Sequence, residues 1–256
     1  MICGENLSNA SEDLEDDMNW YHQFRASGYA HFPGLTPASL VDAALEAIER
    51  DLRDNYDAQR QVEYDNQSYC PELKGTPPIM DLLEKSPILT VVDKALGLDS
   101  VAWDKGQIAI RRAHNWNKEV PPEPHIDGFA SGLNALEEGR IYNHTATVGI
   151  FLTTVSRAYA GNLTVWPGSH QIYESYFRKR GPVAMREPPF SPEIGAPVQL
   201  ICGVGDAVFC HYQLGHSAAV NTADVDRIAI YFRIWFRVLE ERRWQYLTNI
   251  WEGWKI

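Results

Sequence analysis

The stretch RIAIYFRIWFRV, residues 227–238, constrains the fold more than any other. Ile228, Ile230, Phe232, Ile234 and Phe236 alternate there with Arg227, Ala229, Tyr231 and Arg233. A period of two held over this length is a β-strand with one apolar face against a core. Its other face carries the arginines and the tyrosine. Shorter β-rich runs precede it: QIAIRRA (107–113), TATVGIFLTT (145–154), NLTVW (162–166), VQLIC (198–202) and DAVFCHY (206–212). Turn residues punctuate the gaps, as in GNL, WPGSH and GVGD. Short strands at this spacing predict an antiparallel sandwich or jelly roll, mainly β, with helices packed on its N-terminal side.

Before residue 99 the period is helical. In FRASGYAHFPGLTPASLVDAALEAIERDL a strand-like AHF precedes Thr36, a candidate N-cap, and Pro37 at the first helical position. Leu40, Val41, Ala44, Leu45 and Ile48 then recur on one helical face. A second helix is expected in SPILTVVDKALGL, begun by Ser86 and Pro87 and ended by Gly97. Residues 1–17 read as an acidic mobile tail and 18–256 as one domain: a helical part (18–98), a β core (99–238) and a C-terminal helix (239–256). The aromatic residues of that helix should dock on the sheet or on a second subunit. Segments 137–144 and 170–197 read as long loops, suited to lids or specificity elements.

The formal charge of −11 argues against nucleic acid or an anionic membrane as partner, since phosphate binding needs a clustered positive field. FRKRG (177–181) is too short to supply one. No apolar run approaches the length of a membrane span, and the first residues lack the features of a signal peptide. Cys3, Cys70, Cys202 and Cys210 form no CxxC pair, so neither a disulfide framework nor a thiolate zinc site is expected. A reduced, cytoplasmic compartment follows; the oligomeric state is not legible.

In PEPHIDGF, His125 and Asp127 form an HxD. With eight histidines and 34 acidic residues, about one HxD or HxE arises by chance in a chain of this length. Position adds weight, because residues i and i+2 of a strand project to one side and both side chains can reach one ion. A third ligand is then needed, and His211 and His216 both lie in the second half of the β region. His211 sits at a strand end, where a core histidine is the simpler reading; His216 follows Gly215, which lets the backbone approach a site closely.

HxD at 125–127, His216, Arg227 eleven residues later, the GNLTVWPGSH segment and GYAHFPGLTP together resemble the phytanoyl-CoA dioxygenase (PhyH) family of iron(II)- and 2-oxoglutarate-dependent oxygenases. The similarity spans roughly residues 25–238, and its strength lies in the order and spacing of the motifs taken together. It implies a double-stranded β-helix (jelly roll, cupin-like) core. It also implies Fe(II), 2-oxoglutarate and O2 as cofactor and cosubstrates, with succinate and CO2 released as a bound substrate is oxidised. His125, Asp127 and His216 would be the metal ligands, since two imidazoles and a carboxylate on one face of iron(II) leave three positions open. Arg227 would pair with the distal carboxylate of 2-oxoglutarate through a charge-assisted fork. Related halogenases carry a small residue at the carboxylate position, so Asp127 favours hydroxylation or another oxidation over chlorination.

Gln107 is a further candidate for a hydrogen bond to 2-oxoglutarate, with a plain strand-end amide as the alternative. Family members often carry a serine two positions after the distal histidine; here that place is Ala218, with Ser217 before it. Trp116, Phe129 and Trp166 are candidate pocket walls. His170 is expected to stabilise a turn, and His22, His31, His114 and His144 to be structural. Arg157, Arg178 and Arg180 are candidates to meet an anionic substrate, with ordinary surface charge as the alternative. Two other functions stay open at this level: a jelly roll that binds a metal or ligand without turnover, and a protein side-chain hydroxylase.

Overall fold

The structure, a computed structural model, describes residues 18–134, 136–187 and 193–256. The acidic segment 1–17, expected as a tail, lies outside these residues. Strand β9 (Arg227–Phe236) is the spine of the larger sheet. On one side it pairs with β4 (Ala146–Phe151), which pairs in turn with β7 (Ala207–His211) and then β1 (Tyr29–Phe32). On the other side β9 pairs with β2 (Val101–Ala102) and β3 (Gly106–Arg111). Every pairing is antiparallel. The smaller sheet has the order β6 (Val198–Gln199), β5 (Leu163–Val165), β8 (His216–Ala218). Together the two sheets form the jelly roll.

The alternation in β9 explains how the layers stack. Ile228, Ile230, Phe232, Ile234 and Phe236 turn outward from the barrel and join Ile108, Ile110, Val148, Ile150 and Phe209 in the main core. That face is covered by α2 (Ala38–Asn55), α4 (Pro77–Glu84) and α5 (Ile88–Leu96), through residues such as Val41, Ile48, Leu82 and Val92. α1 (Met18–Ser27) adds Trp20 and Phe24, and the short α3 (Gln61–Asn66) adds Tyr64. Each such buried side chain contributes about 1.5–3 kcal/mol by leaving water. The other face of β9 turns into the barrel. Phe151, Val165, Val208, Leu214 and Ala229 close one end of the space between the sheets, and the rest is open.

Two local expectations change. α2 begins at Ala38 with Pro37 in the capping position and no side-chain cap bond; the Thr36 hydroxyl is buried without a partner among the described residues. Proline has no side-chain acceptor with which to cap the helix, and its carbonyl takes the amides of Leu40 and Val41. Segment 170–197 is not one long loop: α6 (Ser169–Arg180) and a 3-10 turn (Pro182–Met185) occupy its first part. Ser169, Tyr173 and Phe177 recur every four residues and are buried, so α6 has a narrow inward stripe beside a charged face. α7 (Leu239–Thr248) follows β9 directly. The aromatic residues of this C-terminal region dock on the sheet: Tyr246 stacks on Phe236 at 5.3 Å and Trp254 on His211 at 5.4 Å.

Candidate metal centre and cosubstrate pocket

A cavity of about 1110 Å³ lies between the sheets, lined by the inward residues of β3, β4 and β9 and by β8. His125, Asp127 and His216 meet on its wall. One ligand atom from each lies within 4.8 Å of the others. Asp127 Oδ1 is 3.7 Å from His125 Nε2 and 3.6 Å from His216 Nε2. These separations exceed a hydrogen bond and leave room for an ion between the three atoms.

The backbone accounts for the convergence. His125 and His216 form an isolated antiparallel bridge in which each amide donates to the other's carbonyl, at 3.0 and 2.9 Å. Residues so paired carry their side chains on one face, close together, and the two rings lie 4.6 Å apart. Asp127, two residues on, returns to the same side. Gly128 lets the chain pass here: its φ is +97°, and a Cβ would stand 2.7 Å from the Tyr142 carbonyl oxygen.

The surroundings fix each donor. His216 Nδ1 donates to the Leu214 carbonyl at 3.0 Å, which turns Nε2 and its lone pair to the centre. Arg233 Nε and Nη2 donate to Asp127 Oδ2 at 3.0 and 2.7 Å, leaving Oδ1 facing the imidazoles. Tyr212 donates its hydroxyl to the Asp127 carbonyl at 2.8 Å. Burial works against charge on Asp127, but the Arg233 guanidinium outweighs it and holds the carboxyl well below its usual range. Burial and then the neighbouring His216 push His125 down to about 4. Burial would also lower His216, yet the Asp127 carboxylate more than offsets it and raises that ring. An ionised carboxylate beside a neutral His125 is what a divalent ion requires, and the proton favoured on His216 is one that an ion would displace.

Arg227 is 2% exposed. Its Nε donates to the Gly161 carbonyl at 2.7 Å and Nη1 to the Ala109 carbonyl at 3.1 Å. No carboxylate lies within ion-pair distance of it among the described residues. Burial lowers its affinity for a proton, and its side chain lines the cavity that holds the triad. A buried guanidinium with carbonyls on two nitrogens and no acid calls for an external anion.

The other expected residues fall in several places. Gln107 faces the cavity, but both ends of its amide are engaged: Nε2 donates to the Gln67 carbonyl at 2.7 Å and Oε1 accepts from Arg233 Nη1 at 2.9 Å. Phe129 lines the cavity; Trp116 is 52% exposed and lies outside the lining, and Trp166 is buried beside Phe129 and Tyr173. Ala218 and Ser217 both line the wall. His170 Nε2 donates to the Arg25 carbonyl and ties α6 to the end of α1. His211 is buried, with Nε2 on the Ile250 carbonyl, as a core histidine should be. His144, read as structural, lines the cavity behind Asp127, bonds Thr147 Oγ1 at 2.7 Å and is pushed down to about 3 by burial and then by Arg233. Arg157, Arg178 and Arg180 lie outside the lining and are engaged with Thr222, Glu174 and Glu187. No sequence motif marks Arg233; its place on the inward face of β9 is the signal that points to it.

His31, Cys202 and Asp206 form a second compact group. Asp206 there accepts from the amides of Gly34 and Gly203, both at 2.8 Å, and contacts His31 at 2.7 Å. These bonds account for it as a clasp between two turns.

A jelly roll with two imidazoles and a carboxylate on the wall of its cavity has the make-up of the non-haem iron oxygenases. Among solved structures, the 2-oxoglutarate-dependent epimerase SnoN from nogalamycin biosynthesis is similar to this chain with a TM-score of 0.58 at 20% identity, covering 88% of this chain and 82% of its own. HygX from Streptomyces hygroscopicus, with nickel and 2-oxoglutarate bound, gives 0.57 at 14% identity, covering 86% and 87%. The nickel complex of the non-haem monooxygenase ThoJ gives 0.56 at 19%, covering 84% and 76%. At such identities the likeness speaks for the fold. No curated protein matches the sequence. The family model for phytanoyl-CoA dioxygenase (PhyH) matches residues 24–229, and the chain belongs to that family. It is thus an iron(II)- and 2-oxoglutarate-dependent dioxygenase.

Proposed function

We propose that His125, Asp127 and His216 hold the iron, that Arg227 takes the distal carboxylate of 2-oxoglutarate, and that the enzyme hydroxylates a small molecule in the cavity between the sheets. The observation that carries this reading is the meeting of three donor atoms within 4.8 Å on the wall of the cavity that Arg227 also lines. The donor set fits iron(II): two imidazole nitrogens and one carboxylate oxygen, with an adjoining cavity for further ligands. When bound, iron and 2-oxoglutarate activate O2 and couple decarboxylation of the cosubstrate to oxidation of a substrate C–H bond.

The chain's own residues do the positioning. The Leu214 carbonyl sets the tautomer of His216. Arg233 occupies Asp127 Oδ2, so that Oδ1 is the oxygen free to bind and the carboxylate is held to one-point attachment. Gly161 and Ala109 orient Arg227. Ile126, Phe129 and Leu163 supply apolar wall from which water is readily expelled. Ala218 brings no hydroxyl, so cosubstrate orientation rests more heavily on arginine. Cys70, Cys202 and Cys210 are unpaired, in keeping with a reducing compartment such as the cytoplasm. No helix among the described residues is long and apolar enough to cross a membrane.

The test is an anaerobic titration of metal-free protein with iron(II) and then 2-oxoglutarate, followed by the visible charge-transfer absorption of a chelated 2-oxo acid. The band should form at one iron per chain. Folded, iron-binding protein that never develops it would instead favour a ligand-binding jelly roll without turnover. Arg233→Gln is expected to weaken iron(II) about ten- to a hundredfold, the usual cost of losing a partner that orients a ligand. Competition against a chelator of known affinity measures it, and an unchanged affinity would remove Arg233 from the account.

A further inference from the structure

Arg111 ends β3 directly opposite Arg227 on β9. Opposed residues of an antiparallel pair have Cα atoms about 4.5–5.5 Å apart, and like charges in that relation destabilise the sheet. Both arginines nonetheless turn into the same cavity. Among the described residues, the Arg111 guanidinium has no hydrogen bond and no acid within ion-pair distance; its backbone carbonyl accepts from Asn221 Nδ2 at 2.9 Å. Its charge reaches the neighbouring Arg227, whose hold on a proton it helps to weaken.

The loop at Gly161 packs against this pair. A Cβ on Gly161 would lie 2.9 Å from Arg111 Cβ and 3.0 Å from Arg227 Cβ, at a φ of +74° that glycine adopts freely. The Gly161 carbonyl takes Arg227 Nε, so the loop anchors one arginine and leaves the other unpaired. The wider cavity agrees in sign. Seven lysines and arginines line it against four acids, whereas the whole chain has 23 basic residues to 34 acidic ones. One of the four acids is Asp127, already matched by Arg233. Bound iron(II) and a 2-oxoglutarate dianion would cancel each other's charge and leave this excess in place.

We propose that Arg111 and Arg227 together form a two-arginine clamp for an oxyanion, with Arg111 as the member that sequence motifs do not mark. The oxyanion has two possible sources: the distal carboxylate of 2-oxoglutarate, held by both arginines, or an acid group on the substrate, held by Arg111 next to the cosubstrate carboxylate on Arg227. The proposal rests on the oxygenase reading above. It makes cosubstrate or substrate affinity depend on a residue of β3.

Wild type, Arg111→Gln and Arg111→Lys are compared as iron(II) proteins under argon. Each is titrated with 2-oxoglutarate and with 2-oxovalerate, which lacks the distal carboxylate, by the charge-transfer band. The 2-oxoglutarate-loaded proteins are then titrated calorimetrically with sulfate as a probe of a second anion site. If the carboxylate is the cosubstrate's, Arg111→Gln weakens 2-oxoglutarate about ten- to a hundredfold, leaves 2-oxovalerate unchanged, and is partly rescued in Arg111→Lys. If it is the substrate's, 2-oxoglutarate binds all three alike, while sulfate binds loaded wild type and is lost in Arg111→Gln. The clamp is overturned if 2-oxoglutarate affinity is unchanged and sulfate either fails to bind wild type or binds the variants equally. Wild type that gives no band at all overturns the oxygenase reading instead, and matching thermal melts exclude a folding defect.

Discussion

Asp127→Ala and His216→Ala are each expected to lose stoichiometric iron(II) and the charge-transfer band while keeping a folded jelly roll. The effect should be a fall in metal affinity of more than about a hundredfold, larger than the loss of a residue that only orients a ligand. Removing Asp127 takes away the one anion of the set and leaves Arg233 beside the imidazoles with its carboxylate gone, so repulsion adds to the missing bond. Removing His216 spares Asp127 and Arg233 but deletes the ring aimed by the Leu214 carbonyl. Iron content after desalting is the measurement, with circular dichroism for the fold. His211→Ala is the control: this ring bonds the Ile250 carbonyl and stacks on Trp254, so its loss should lower stability and spare iron binding. Iron retained in His216→Ala and lost in His211→Ala would reassign the third ligand.

The second large effect falls on the cosubstrate. Arg227→Ala should raise the 2-oxoglutarate concentration needed for half-saturation by about a hundredfold or more, consistent with losing charge-assisted hydrogen bonds in a buried site. Iron(II) affinity should change little, because Arg227 touches none of the three ligands. Arg227→Lys restores the charge without the planar fork and should recover only part of the loss. 2-Oxovalerate separates the explanations: if Arg227 recognises the distal carboxylate, wild type and variant bind this analogue alike. A variant that loses both 2-oxo acids equally would show that Arg227 supports the pocket wall through Gly161 and Ala109 and recognises nothing.

The long strand was legible because ten residues of strict alternation admit one reading, and the same alternation put Arg227 and Arg233 on the face opposite Ile228 and Phe232. β8 and β2 were not, since three and two residues carry no period. α6 was missed because four buried residues, one a serine and one a histidine, along a highly charged segment give a faint helical signal. Within the site, His125 and Asp127 could be paired from local geometry, whereas His216 needed the family resemblance to separate it from His211. The engagement of Gln107 with Arg233 and Gln67 is a contact between three distant parts of the chain, invisible to spacing. Trp116, expected at the pocket, sits instead on the surface of a segment without regular structure, where an aromatic residue gives no sequence clue to its direction.

The bridge between residues 125 and 216 has a wider consequence. It ties the largely strandless stretch 112–145, which supplies Phe129 and much of one cavity wall, to the edge of the smaller sheet, and it does so with two hydrogen bonds. An ion held by both histidines would cross-link the same two chain segments a second time, through their side chains. Loading the enzyme with metal and fastening down its substrate wall would then be one event, and the protein would acquire its binding shape together with its reagent.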